Sequence, residues 1–124
     1  MADKKKILLA DDEEDIKAVI TLFLESKGYQ IITAFDGLAA LDLARSEHPD
    51  LILLDVMMPV VNGFEVCTRL KADEETRDIP VVMLSAMAQS ESVDKGLAAG
   101  AVDYIVKPFD PSRLEEVISR ILKS

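Results

Sequence analysis

The stretch LILLDVMMPVVNG, residues 51–63, decides how this chain folds. Its first four residues are apolar without alternation, and a carboxylate, Asp55, follows them directly. A short run of this kind suits a strand covered on both faces, the usual state of a strand in a parallel sheet. Pro59 and Asn62-Gly63 then punctuate the chain, and Asn62-Gly63 opens a helix through about Ala72. The same pattern recurs outward in both directions. Apolar runs at residues 7–10, 30–34, 80–84 and 104–106 are each followed by a stretch of helical period, so the chain reads as five βα units. The first helix spans 13–27, with Ile16, Val19, Ile20, Phe23 and Leu24 on one stripe, an acidic start and Gly28 beyond its end. The second opens at Asp36-Gly37 and runs to about Glu47, and the fourth spans 90–99 before Gly100. Asp110 caps the last helix, Pro111 takes its first position, and Leu114, Val117, Ile118, Ile121 and Leu122 form its inner face. Strict βα alternation with crossovers of one hand predicts an α/β fold, a doubly wound five-stranded parallel sheet with helices on both faces.

Composition narrows the function classes. With 124 residues the chain has the size of one domain, taken as 1–124. Hydrophobic residues make up 49% and charged residues 30%. That is too apolar for disorder and too charged for a membrane protein. No apolar run approaches the roughly 20 residues that cross a bilayer. A net charge of −9 repels a phosphate backbone, so direct nucleic-acid binding is not expected. The single Cys67 has no partner for an internal disulfide, and the start of the chain lacks the apolar core of a leader peptide; both point to the cytoplasm. Cys67 is read as packing, His48 as a surface loop residue, and Lys4-Lys5-Lys6 as a solvated run. Glycine-rich phosphate loops are absent, which removes support for nucleotide binding.

Sheets of this class bind ligands beyond the carboxyl ends of their strands. Asp11 and Asp12 follow the first strand, Asp55 ends the third, Ser85 the fourth and Lys107 the fifth. Singly, each has a bland reading as a cap, a loop start or a solvated residue. Asp55 resists it, because a carboxylate at the end of an apolar strand is costly unless paired or metal-bound. Three acids beside one lysine suggest a divalent cation. Magnesium, which needs only one or two carboxylates plus phosphate oxygens, fits the set.

The acidic pair in ADDEED, the run LLDVMMPVVNGFE, the SA step after VVML, and DYIVKPF occur together in one order and spacing over essentially the whole chain. In this it resembles the receiver domains of two-component response regulators, the CheY-like family. The resemblance implies a (βα)5 flavodoxin-like fold with strand order 2-1-3-4-5. It implies Asp55 as phosphoacceptor, Asp12 as direct ligand of Mg2+ (or Mn2+), Asp11 acting through water, and the backbone carbonyl of Met57 as a further ligand. Lys107 would pair with Asp55 before transfer and with a phosphoryl oxygen after it, and Ser85 would donate to another. Tyr104 would turn inward as Ser85 moves, altering the surface of the fourth helix, fifth strand and fifth helix. Phosphoryl donors would be a histidine kinase or a histidine phosphotransfer protein, and the output a downstream protein or a further domain. The domain would be a monomer or a phosphorylation-dependent dimer. It would catalyse only its own phosphorylation and dephosphorylation. A cis peptide before Pro108 is usual in the family. Met57 and Met87 cannot orient an attacking water, which implies moderate to slow hydrolysis, and Val60-Val61 depart little from the family's turn. Two other readings compete. A magnesium-dependent phosphohydrolase of the haloacid dehalogenase type would want an acid two residues after Asp55, where Met57 stands. A flavin-binding protein would want a hydroxyl- and glycine-rich loop after the first strand.

Overall fold

The computed structural model describes residues 4–87 and 89–123; the remaining residues of the 1–124 span lie outside the described ones. Five strands, β1 (Lys6–Ala10), β2 (Gln30–Ala34), β3 (Leu51–Asp55), β4 (Val81–Ser85) and β5 (Asp103–Val106), alternate with five helices. The helices are α1 (Glu14–Ser26), α2 (Gly37–Glu47), α3 (Gly63–Ala72), α4 (Ser90–Ala98) and α5 (Pro111–Lys123). All strand pairs are parallel in the order β2-β1-β3-β4-β5, the flavodoxin-like arrangement. The order reverses between β1 and β3, which puts the end of β3 at the topological switch point.

The uninterrupted apolar runs are explained by a core on each face. Successive side chains of a strand point to opposite faces. Ile7, Leu9, Leu51 and Leu53 therefore pack with Ile20 and Leu24 of α1 and Leu114, Val117 and Ile118 of α5. Leu8, Ala10, Ile52 and Leu54 face the other way, onto Ala40 and Ala44 of α2 and Val66, Cys67 and Leu70 of α3. Every residue of β3 and β4 is buried. Full burial of one Leu or Ile contributes roughly 1.5–3 kcal/mol, so each apolar residue of the central strands adds to the driving force alongside the helix faces packed on them. Side chains close the helix starts: Asp36 Oδ1 accepts the Ala39 amide at 2.8 Å, and Asn62 Oδ1 accepts that of Glu65 at 3.0 Å. Asp110 likewise accepts the Ser112 amide and hydroxyl.

Several boundaries differ from the sequence reading by one residue. The strand expected over 80–84 runs Val81–Ser85, because Pro80 has no N–H for the ladder; its carbonyl still accepts from Ile52 at 2.9 Å. Strand β3 extends through Asp55. Helix α1 starts at Glu14, with Glu13 in extended conformation as N-cap, and α4 ends at Ala98. The turn after β3 holds a conformation that its residues do not announce. Val60 sits at φ 71° and is 84% exposed. A β-branched side chain is strained at that φ. Gly28 takes the left-handed position beyond α1, at φ 95°. The Lys107-Pro108 peptide is cis. Cys67 is buried, its thiol donating to the Ala99 carbonyl at 3.4 Å, and His48 forms the left-handed C-cap of α2. Among the described residues no helix is long and apolar enough to cross a membrane.

Candidate functional site

The parallel register carries the sequence-predicted residues to one edge of the sheet. Asp55 is opposite Leu84 and Ser85 opposite Val106, so Ser85 lies one step and Lys107 two steps beyond the level of Asp55 on successive strands. Gly63 permits the close approach of α3. A Cβ there would overlap the Asp55 carbonyl oxygen and come within 2.8 Å of Val56 Cα. Only glycine fits against the end of β3.

Asp11 is completely buried and tied at both oxygens. Oδ1 accepts the Glu13 amide at 2.8 Å, and Oδ2 accepts the Lys107 ammonium at 2.9 Å. Asp55, 3% exposed, accepts the Met57 amide on Oδ1 at 3.3 Å and holds Oδ2 3.5 Å from Lys107 Nζ. Asp12 is exposed. One carboxylate oxygen of each of Asp11, Asp12 and Asp55 falls within 4.8 Å of the others, a donor set of hard oxygens compatible with a divalent cation. Lys107 therefore divides its charge, and its shortest contact is to Asp11 rather than to Asp55.

Electrostatics follow from this crowding. Burial, and next the Asp11 charge, push the Asp55 carboxyl up from 3.8 to about 7; Lys107 and the Met57 amide act in the opposite direction. Burial alone would lower Lys107, but its hydrogen bond to Asp11 and the charges of Asp55, Asp11 and Glu13 outweigh it and raise the ammonium above its ordinary value. One lysine thus leaves the carboxylates under-compensated, and a second cation would relieve them.

Ser85 and Tyr104 meet through one residue. Ser85 Oγ, buried, accepts the Met87 amide at 3.0 Å, while the Tyr104 hydroxyl donates to the Met87 carbonyl at 2.8 Å. The Tyr104 ring lies against Gly96 of α4, where an added Cβ would be 2.9 Å from Cδ2. Two clefts flank the acids. Glu13, Ile16, Ile20, Lys107 and Phe109 are among the residues lining one of about 490 Å³, and Asp12, Met57, Met87 and Lys95 are among those lining another of about 610 Å³. Glu13 was not among the sequence-predicted site residues. Its Oε1 is 3.4 Å from Lys107 Nζ; within ADDEED it reads as an ordinary acidic helix start, and no periodicity separates it from Glu14.

Comparison with known proteins agrees with this geometry. The model of the response regulator receiver domain matches residues 7–119. The chain is 46% identical over 121 residues to the alkaline phosphatase synthesis transcriptional regulatory protein PhoP of Bacillus subtilis, covering 96% of this chain and 49% of PhoP. It is 45% identical over 116 residues to the DNA-binding dual master transcriptional regulator RpaA of Synechocystis, covering 94% of this chain and 47% of RpaA. The chain thus spans about half the length of the curated relatives it matches. Among solved structures, chemotaxis protein CheY4 of Vibrio cholerae superposes with a TM-score of 0.90 at 34% identity, covering 95% and 98% of the two chains. The receiver domain of sensor histidine kinase PA1611 of Pseudomonas aeruginosa, with magnesium in its active-site cleft, gives 0.91 at 32% identity over 98% and 99%. Fold, site geometry and relatives converge: this chain belongs to the response regulator receiver domain family, the signalling switches of two-component systems.

Proposed function

We propose that Asp55 is the phosphoacceptor of this receiver and that Lys107, Ser85 and the Asp11–Asp12 pair support the transfer. The observation that carries the reading is a nearly buried carboxylate at a strand end, held between a lysine and two further acids. One Asp55 oxygen attacks phosphorus as the bond from phosphorus to a histidine nitrogen of the donor breaks, giving an acyl phosphate and free imidazole. Asp12 and Asp55 would hold Mg2+ (Mn2+ would also fit), with the Met57 carbonyl and, through water, Asp11. Once bound, that ion offsets repulsion between the acids and the incoming phosphoryl group. Lys107 pairs with a phosphoryl oxygen, and the Ser85 hydroxyl donates to another.

The switch is read through Met87. Drawing Ser85 Oγ to the phosphoryl group removes the acceptor of the Met87 amide, and the other end of that residue is gripped by Tyr104. A local charge is thereby converted into repacking of Tyr104 against α4 and of the α4-β5-α5 surface, with a monomer or a phosphorylation-dependent dimer as the assembled form. The domain acts in the cytoplasm, receives its phosphoryl group from a histidine kinase or phosphotransfer protein, and catalyses no turnover beyond its own phosphorylation and dephosphorylation. Relatives named as transcriptional regulators support gene expression as the output. That output is delivered by a downstream protein or further domain, because a segment of net charge −9 repels nucleic acid. A phosphohydrolase is disfavoured by Met57, which offers no acid two residues after Asp55.

Intact mass after incubation with phosphoramidate and magnesium tests the reading. The wild type gains one phosphoryl group and Asp55→Asn gains none; equal labelling of both would overturn it.

A further inference from the structure

Lys107 is surrounded by three carboxylates, Asp11 at 2.9 Å, Glu13 at 3.4 Å and Asp55 at 3.5 Å. An ammonium has three protons to donate; here it donates to Asp11 and Glu13 and lies at ion-pair distance from Asp55, so two of its protons are held by acids that do not carry the incoming group. A phosphoryl oxygen on Asp55 that is to draw the ammonium closer than 3.5 Å pulls it away from Asp11 or from Glu13. Asp11 is fully buried and closest, and Asp55 itself carries the incoming group. The Glu13 side chain is 57% exposed. It is the acid that can return to water at least cost.

Glu13 also breaks a local rule. It is the N-cap of α1, a position where a side chain ordinarily accepts a helix amide, yet its side chain makes no capping bond. Its backbone N–H is instead bonded to Asp11 Oδ1 at 2.8 Å, which ties its position to that of the Asp11–Lys107 pair. The carboxylate reaches across the chain to a lysine 94 residues away. Departures from local preference of this kind are expected where function sets the geometry.

We propose that Glu13 is a positioning residue that competes with the phosphoryl group for the Lys107 ammonium, holding it on the α1 side of the site until transfer. The inference rests on the phosphoacceptor role of Asp55. An exposed ion pair is weak, so the hold yields to a doubly charged phosphoryl group.

Three variants separate contact from charge. Glu13→Gln removes the charge, and Glu13→Asp keeps it but is one methylene too short. Asp15→Asn removes a charge from the same cleft without touching the three carboxylates around Lys107. With phosphoramidate and magnesium, Glu13→Gln and Glu13→Asp gain the phosphoryl mass about two- to fivefold faster than wild type, and Asp15→Asn does not. In metal-free protein without donor, the Lys107 ε-methylene NMR resonance moves in both Glu13 variants and stays in place in Asp15→Asn. An equal rate gain in Asp15→Asn and Glu13→Gln, or an unmoved Lys107 resonance, overturns the proposal. A wild type that takes no label defeats the phosphoacceptor reading instead, and the resonance still decides whether Glu13 holds Lys107.

Discussion

A carboxyl group whose proton is held until about pH 7 is the most unusual chemical feature of the chain, and its origin is a packing decision. Asp55 is the last residue of a strand with every side chain buried, and Asp11 is beside it. The sign of the effect on stability is fixed by linkage. Between the ordinary value of 3.8 and about 7, the unfolded chain has lost this proton while the folded chain keeps it. Stability supplied by the protonated form therefore falls as pH rises through that window and is gone above it. Asparagine does not titrate. In chelator, Asp55→Asn melts above the wild type, and the gap widens from pH 5 to pH 8; a gap independent of pH would contradict the assignment. The position of the residue at the end of an apolar strand was legible in its motif. Its shifted pKa was not, since burial and the distance to Asp11 are set by β1 and β3 lying side by side.

Among the elements, α4 and β5 are joined by a contact that depends on a missing side chain. Gly96 lies in α4, where glycine costs about 1 kcal/mol in helix propensity relative to alanine. Local preference alone predicts that Gly96→Ala stabilises the domain. A methyl there would be 2.9 Å from the Tyr104 ring and 3.4 Å from Met83 Cγ, so it must push the ring outward. Overpacking of this sort typically costs about 1–3 kcal/mol. Urea unfolding is expected to show a net loss of stability, with the Tyr104 ring resonances shifted as its hydroxyl leaves the Met87 carbonyl. A more stable variant with unchanged Tyr104 resonances would mean that the ring has room to spare. The same contrast between local signal and neighbour explains Val60. Nothing in Pro59-Val60-Val61 marks a left-handed residue, and only the path from the end of β3 into α3, pinned by Gly63 against the Asp55 carbonyl, demands one.

For the whole molecule, a charge of −9 means that any salt relieves some self-repulsion. A specific cation site must therefore be separated from general screening. The site proposed at Asp12 and Asp55 links metal to folding by mass action, worth about 2.7 kcal/mol at a hundredfold excess over the dissociation constant. At constant ionic strength, the melting temperature of the wild type rises with the logarithm of magnesium concentration, and that of Asp12→Asn stays nearly flat. Parallel rises in both proteins would show screening alone.

By itself, the sequence determined the five βα units, the two-faced burial of the sheet and the residues that gather at its carboxyl edge. Each of these follows from near-neighbour patterns: apolar runs, turn residues and polar groups at strand ends. Only the tertiary structure decided how Lys107 divides its charge among Asp11, Glu13 and Asp55, how Met87 joins Ser85 to Tyr104, and why Val60 is strained. Those features depend on distances between strands and helices far apart in the chain. Register and packing set such distances, and no local periodicity encodes them.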